Sequence, residues 1–130
     1  MLESNRYLCP AKAWQKIVGK MARTKRQKIL IVDDEKNIRH LVRSMVGKEN
    51  AVIEAEDGEV AIHMARRQKP DLILMDIMMP KMDGYTACKA IKSSPVTKAI
   101  PVVMLTTIGY DLNVELSREM GADEYVTKPF

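Results

Sequence analysis

From Lys28 onward, short apolar runs alternate with segments in which apolar residues recur at helical spacing. This alternation is typical of βαβ units, whose strands are parallel. The pattern predicts five strands, over 28–32, 51–55, 72–75, 102–105 and about 124–126. It also predicts four helices: one with an apolar stripe at Ile38, Leu41, Val42 and Met45, one around Val60–Ala65 that ends before Pro70, and two over about 85–93 and 112–120.

These elements predict a three-layer, doubly wound α/β domain. Crossover connections between parallel strands are right-handed, so the helices should cover both faces of the sheet. The expected strand order is 2-1-3-4-5, which places strands 1 and 3 where the order reverses. We therefore predict one domain over residues 28–130, preceded by an extension over residues 1–27.

The extension contains a second kind of pattern. Trp14, Ile17, Val18 and Met21 fall at i, i+3, i+4 and i+7, which predicts an amphipathic helix over about 11–21. Its function is left open among three interpretations. The helix fills a groove on the domain, or it docks on a partner protomer, or the first twenty residues are only a leader.

Charge is unevenly distributed along the chain. Residues 1–28 hold eight Lys or Arg and one acid, a net charge of +7, whereas the remainder holds thirteen bases and sixteen acids, a net charge of −3. A basic tail could contact nucleic acid or a membrane surface. Because aromatic residues are sparse there, a solvated leader is the favoured interpretation, and nucleic acid is an unlikely partner.

Long apolar segments are missing from the sequence. Since a membrane helix needs about 20 apolar residues and the N-terminus lacks a signal-peptide apolar region, we predict a cytoplasmic protein with no membrane partner. Cys9 and Cys88 are then expected to be reduced thiols.

Polar residues suited to phosphate or metal chemistry follow four of the predicted strands. Parallel strands place their carboxyl ends along one edge of the sheet, so these residues should face one space. They are Asp33 and Asp34, Asp76, Thr106, and Lys128. Clustered carboxylates can hold Mg²⁺, and a carboxylate can attack a phosphoryl group to form an acyl phosphate. Each residue alone also has a plainer interpretation, as a helix cap, a turn residue or a surface residue.

Taken together, these motifs resemble the receiver domain of bacterial two-component response regulators. The resemblance covers about 28–130 and is carried by spaced motifs at 31–35, 74–84, 104–107 and 121–130. It implies the flavodoxin-like receiver fold and a phosphorylation-dependent switch that is not an enzyme beyond its own phosphorylation and dephosphorylation. The implied partners are a sensor histidine kinase or phosphotransfer protein and a downstream protein target.

The resemblance also implies a role for each matching residue. Asp76 matches the phosphoacceptor, and Lys128 matches the lysine that contacts the phosphoryl group. Thr106 and Tyr125 match the switch pair. The implied Mg²⁺ ligands are Asp33, acting through water, together with Asp34, Asp76 and the backbone carbonyl of Met78.

Two departures from the family pattern have consequences. Family members normally continue into a fifth helix, whereas this sequence stops at Phe130, so the predicted fold lacks that helix and a groove beside the first helix is expected to be bare or filled by another segment. The fifth helix belongs to the usual dimer face, which leaves a homodimer open. Met78 and Ile108 are apolar next to the acceptor, and neither can position a water, so we hypothesise slow dephosphorylation.

Two competing functions are weighed against the switch. A Mg²⁺-dependent phosphatase of the haloacid-dehalogenase type also has an Asp nucleophile after an apolar strand, but it needs a second acid two residues later. That position is Glu35 after Asp33 and Met78 after Asp76, so neither start fits well. Nucleic-acid binding through the basic extension is the other alternative.

Overall fold

In the computed structural model, residues 26–106 and 119–127 are described, with the backbone alone for Thr106 and for Glu124–Thr127. The predicted helix over 11–21, and all but the last two residues of the one over 112–120, lie outside these ranges. The elements in chain order are β1 (Lys28–Val32), α1 (Lys36–Val46), β2 (Ala51–Ala55), α2 (Gly58–Gln68), β3 (Leu72–Asp76), α3 (Gly84–Ser93), β4 (Val102–Thr106) and β5 (Glu124–Thr127).

The strands form one parallel sheet in the order β2-β1-β3-β4-β5. The predicted parallel α/β fold is confirmed, and so is the predicted order of the first four strands. Val32 at the end of β1 is in register with Ala55 of β2 and Met75 of β3. Thr106 is in register with Thr127, so β4 and β5 end at the same edge as β1 and β3.

Both faces of the central strands are buried, as a parallel sheet requires. Alternate side chains of each strand contribute to two separate clusters. On one face α2 and α3 pack over a cluster that includes Leu30, Val32, Ile73, Met75 and Met104. On the opposite face Val42 and Val46 of α1 pack with Ile29, Ile31, Leu72, Leu74, Val103 and Leu105.

Local signals in the sequence fix the ends of two helices. The carboxylate of Asp57 accepts a hydrogen bond from the N–H of Val60 at 2.9 Å and caps α2. Asp83 caps α3 in the same way, accepting from the N–H of Thr86 at 2.8 Å. Lys69, just before Pro70, ends α2 in a left-handed conformation with φ of 47°.

The apolar stripe of α1 is narrower than the sequence indicated. Val42 and Val46 are buried, whereas Leu41 is 43% exposed. Leu41 therefore lies at the margin of the stripe and contributes little to the core.

Cys88 of α3 is a free thiol with no exposed surface. Its Sγ lies 3.5 Å from the carbonyl oxygen of Met120. Burial raises the pKa of Cys88 to about 11, so the thiol is protonated at neutral pH. Across the described ranges, every helix is too short or too polar to cross a membrane.

Candidate functional site

Three carboxylates meet where the strand order reverses. Asp33 and Asp34 follow β1, and Asp76 is the last residue of the neighbouring strand β3. One oxygen from each of the three lies within 4.8 Å of the others. Asp33 and Asp76 are buried, with 0% and 4% exposure, and Asp34 is exposed. Of the residues that the sequence analysis placed in one space, these three carboxylates therefore lie together.

Asp33 is held by several hydrogen bonds in the turn after β1. Its N–H donates to the carbonyl of Ala55 at 3.1 Å, which extends the β1–β2 ladder by one residue. Its Oδ1 accepts from the N–H of Glu35 at 2.8 Å. Its carbonyl oxygen accepts from Nη1 of Arg39 at 2.6 Å. The backbone that presents the acidic pair is thus fixed from β2, from the turn itself and from α1.

Arg39 is a positioning residue that the sequence analysis missed. Besides bonding the Asp33 carbonyl, its Nε donates to Glu54 of β2 at 2.7 Å. Glu54 also accepts from Arg43, whose Nη2 lies 2.6 Å away. The i, i+4 spacing of the two arginines was the available signal, but it does not identify their partner on β2.

The same contacts set the ionisation of Glu54. Its partial burial acts to raise the pKa of the carboxyl group, and hydrogen bonds from Arg43 and Arg39, together with their charges, more than reverse this effect. The pKa of Glu54 consequently lies below its ordinary value. The link between α1 and β2 beside the site is charge-assisted at neutral pH.

The segment after Asp76 folds back tightly against β3. The N–H of Ile77 donates to the carbonyl of Leu105 at 3.2 Å, and the N–H of Gly84 donates to the carbonyl of Ile77 at 2.8 Å. A Cβ atom on Gly84 would overlap the carbonyl oxygen of Asp76 and lie 2.8 Å from Cα of Ile77. Gly84 is therefore a second residue whose role the sequence analysis missed.

The same loop also rests on the start of α2. A Cβ atom on Gly58 would lie 2.9 Å from the carbonyl oxygen of Met82. Nζ of Lys81 lies 3.7 Å from a carboxylate oxygen of Asp57. The loop thus contacts the start of α2 through Lys81 and Met82, whereas Met78, earlier in the same loop, is 71% exposed.

The carboxylate cluster suits a hard divalent cation. Mg²⁺ takes oxygen ligands at about 2.0–2.1 Å in octahedral geometry, so its ligand oxygens lie about 3–4 Å from one another. The three oxygens lie within 4.8 Å of one another, so a single cation can be placed among them. Three ionised carboxylates this close repel one another unless a cation shares the site.

The remaining predicted site residues are only partly described. Thr106 ends β4, one residue beyond the partner of Asp76 in the sheet register, so its backbone lies at the same edge. Tyr125 lies in β5, in register with Met104. The side chains of Thr106 and Tyr125, and the whole of Lys128 and Ile108, lie outside the described part of the structure.

A parallel α/β sheet with a carboxylate cluster at its switch point, the place where the strand order reverses, is typical of α/β domains that bind phosphate groups and metal ions. Within that class, the family described as "Response regulator receiver domain" matches residues 29–130, and the chain belongs to this family.

Individual proteins agree with the family assignment. The transcriptional regulatory protein ResD of Bacillus subtilis is 44% identical over 111 residues, which cover 85% of this chain and 45% of ResD. A response regulator from Chloroflexus aurantiacus matches with a TM-score of 0.77 and 34% identity, covering 82% of this chain and 88% of that one. The Mn²⁺-bound form of response regulator Rcp1 matches with a TM-score of 0.69 and 35% identity, covering 79% and 81%. The chain spans less than half the length of the curated relatives it matches.

The chain is thus a receiver domain of the two-component type, with the phosphoacceptor role of that family. Receiver domains bind Mg²⁺ through acidic residues, and the described cluster is of that kind. Response regulators interact with histidine kinases, and the family is not one of classical enzymes.

Proposed function

We propose that Asp76 is the phosphoacceptor of this chain. The supporting observation is the meeting of the buried Asp76 carboxylate with Asp33 and Asp34 at the switch point of the sheet. An Asp that served only as a turn or cap residue would not need two further acids within 4.8 Å. Of the three acids, Asp76 alone is the last residue of a strand that is buried throughout.

The proposed reaction is a phosphoryl transfer to a carboxylate. An oxygen of Asp76 attacks phosphorus and forms a P–O bond, while the bond to the leaving group breaks. The leaving group is acetate when acetyl phosphate is the donor, and an imidazole nitrogen when a phosphohistidine is the donor. The product is an acyl phosphate on Asp76.

The charge of the transferred group has to be balanced in this pocket. A Mg²⁺ bound by Asp34, Asp76 and the carbonyl of Met78, with Asp33 acting through water, would supply positive charge there. We propose that Lys128 contacts the phosphoryl group as a point charge. Thr106 and Tyr125 would then report phosphorylation by a shift between two packings. The register of β4 and β5, which brings the backbones of 106 and 127 together at the edge, supports this assignment.

The partners follow from the family rather than from the site. We propose a sensor histidine kinase or phosphotransfer protein as donor and a downstream protein as target, in the cytoplasm. We also propose residues 28–130 as the receiver domain, which the family match over 29–130 supports, with 1–27 as an extension.

Intact-mass measurement after treatment with acetyl phosphate and Mg²⁺ tests the acceptor. Wild type should gain one phosphoryl group, and Asp76→Asn should gain none, because an amide is not a nucleophile toward phosphorus. Asp83→Asn is the matched control: it makes the same change at the cap of α3, where Asn caps as well as Asp. The control should be modified like wild type.

Two results would overturn the assignment. Equal modification of wild type and Asp76→Asn would place the phosphoryl group elsewhere, and absence of modification from both would remove the acceptor altogether. Repeated turnover of a phosphate monoester, in place of a single stable adduct, would instead support the phosphatase alternative.

The lifetime of the acyl phosphate is a second expectation at this site. The Met78 side chain is exposed beside the acceptor and has no group that positions a water. We expect the phosphorylated wild type to persist for minutes or longer after removal of acetyl phosphate, as followed by intact mass. Decay within seconds would refute slow dephosphorylation and would leave the identity of the acceptor untouched.

A further inference from the structure

Arg39 of α1 bonds the turn after β1 and the neighbouring strand β2 at the same time. Its Nη1 donates to the carbonyl oxygen of Asp33 at 2.6 Å, and its Nε donates to Oε1 of Glu54 at 2.7 Å. The side chain of Arg39 is only 15% exposed, so both bonds are largely shielded from solvent. Because a planar guanidinium presents its donors in a fixed fork, this one side chain can hold the two acceptors in a single geometry.

The carbonyl of Asp33 lies where the β1–β2 ladder stops. The N–H of Asp33 donates to the carbonyl of Ala55, the last residue of β2, at 3.1 Å. Because β2 ends there, the ladder does not extend to the Asp33 carbonyl, and the guanidinium of Arg39 supplies a donor to it. Asp33 is fully buried, and a buried carbonyl needs a donor. Arg39 therefore takes over from the ladder at the residue that begins the acidic pair.

The start of α1 differs from the starts of α2 and α3. Those two helices each have a side-chain N-cap, whereas Glu35 at the N-cap of α1 makes no capping hydrogen bond with its side chain. The turn is held by the N–H of Glu35, which donates to Oδ1 of Asp33 at 2.8 Å, and by Arg39 from one helical turn further along. Asp34 lies within this turn, so the orientation of both acids depends on Arg39.

The charge of Arg39 acts in the opposite direction from its position. A guanidinium bonded to Asp33 repels a divalent cation at the carboxylate cluster. Glu54 offsets this charge in part, because its carboxylate bonds Arg39 through one oxygen and Arg43 through the other. By charge alone, loss of Arg39 should tighten the binding of Mg²⁺, whereas loss of positioning should weaken it.

We propose that Arg39 is a positioning residue for the cation: its bond to the Asp33 carbonyl orients the acidic pair and raises the affinity of the cluster for Mg²⁺, and Glu54 holds the guanidinium in place. This proposal rests on the proposed function, in which Asp33, Asp34 and Asp76 share the cation. The two bonds of the guanidinium, the burial of Asp33 and the start of α1 without a side-chain cap together carry it.

Calorimetric titration with Mg²⁺ separates position from charge. Arg39→Met removes the charge and every donor but keeps an unbranched side chain, and it should weaken Mg²⁺ binding by about tenfold, as loss of an outer-shell partner does. Arg43→Met is the matched control, because it removes the same charge and a bond to the same Glu54 carboxylate while the bond from Arg39 to Asp33 stays in place. Its affinity should equal that of wild type or be slightly higher. Unchanged or tighter binding by Arg39→Met, or equal weakening in both variants, would overturn the proposal.

A second pair of substitutions tests the partner on β2. Glu54→Gln keeps the size of the side chain but removes the charge-assisted bonds to the two arginines, so Arg39 should be held less firmly and the Mg²⁺ affinity should fall severalfold. Glu56→Gln removes the same negative charge at an exposed position two residues along the chain. It measures the effect of charge alone, which should be clearly smaller. Equal effects of the two variants would contradict the role of Glu54 in the proposal.

Amide hydrogen exchange in metal-free buffer gives a readout that needs neither Mg²⁺ nor phosphorylation. The Glu35 N–H reports the order of the turn, since it donates to Asp33, and the amides of β3 report global unfolding. In Arg39→Met the Glu35 N–H should exchange faster relative to the β3 amides, and in Arg43→Met this ratio should be that of wild type. An unchanged ratio in Arg39→Met would show that the turn is ordered without the guanidinium and would overturn the proposal.

Failure of this proposal is distinguishable from failure of the proposed function. If wild type and Arg39→Met bind Mg²⁺ equally and both accept a phosphoryl group on Asp76, Arg39 has no positioning role and the proposed function stands. If wild type neither binds Mg²⁺ nor forms the adduct, the proposed function fails, and this proposal fails with it.

Discussion

At the scale of single residues, the surroundings of Asp76 depend on a position that carries no functional group. Gly84 brings its backbone against the carbonyl of Asp76, and its N–H donates to Ile77 at 2.8 Å. Asp83, next to it, caps α3. The loop that bears Met78 is therefore closed by a close backbone approach and a helix cap, not by side-chain packing alone.

Gly84→Ala is expected to destabilise the domain and to slow phosphorylation of Asp76. The added methyl group must displace backbone atoms of Asp76 or Ile77, and strain of this kind costs about 1–3 kcal/mol. Urea unfolding measures the free energy, and the rate of adduct formation with acetyl phosphate measures the effect on the site. The control is Thr86→Ala, an exposed position in the first turn of the same helix, which should be close to neutral. Equal stability of the Gly84 variant and wild type would show that the loop yields easily.

At the scale of elements, the strands and helices followed from local pattern wherever one periodicity prevailed. The predicted strand over 51–55 agrees with β2 residue by residue, and the Asp57-Gly58 turn marks the start of α2. Leu41 belongs to the predicted apolar stripe of α1 but is exposed in the structure. A stripe of i, i+3 and i+4 positions is wider than the contact that one helix makes with β1. The exposure of Leu41 depends on helix rotation, which tertiary packing decides.

The end of α2 offers a test of helix termination. Lys69 adopts φ of 47°, a left-handed conformation that costs a residue with a Cβ atom roughly 1–2 kcal/mol. Lys69→Gly removes that cost at a C-terminal position where glycine is preferred, and it should stabilise the domain by about 1 kcal/mol in urea unfolding. Lys69→Ala, which keeps the Cβ atom and loses the charge, should give no such gain. A stabilised alanine variant would mean that charge, not backbone conformation, governs this site.

At the scale of the whole molecule, the candidate site was predictable because parallel topology brings distant strand ends together. Asp33, Asp34 and Asp76 needed only the correct order of strands to become neighbours. Arg39 was not predictable in the same way, since its partners Glu54 and the Asp33 carbonyl depend on the β1–β2 register and on side-chain conformation. Sequence pattern specifies topology, whereas the contacts that fix a turn arise only after the sheet has formed.

The carboxylate cluster should make global stability depend on a divalent cation. In metal-free buffer, the three carboxylates, whose oxygens lie within 4.8 Å of one another, repel. For two unit charges about 4 Å apart, this repulsion rises from about 1 kcal/mol in bulk water to about 4 kcal/mol near a protein surface. Asp34→Asn removes charge from the exposed member of the cluster, so in EDTA this variant should have a higher Tm than wild type. Added Mg²⁺ should then raise the Tm of wild type. At a Mg²⁺ concentration a hundred times the dissociation constant, the free energy of unfolding should rise by about 2.7 kcal/mol. The variant should gain much less stability from Mg²⁺. Glu35→Gln is the control, because it removes an exposed neighbouring charge that is not in the cluster and should leave the response to Mg²⁺ intact. If wild type and Asp34→Asn gained the same stability from Mg²⁺, the cation would be bound elsewhere, and the cluster would be a source of repulsion without a compensating ligand.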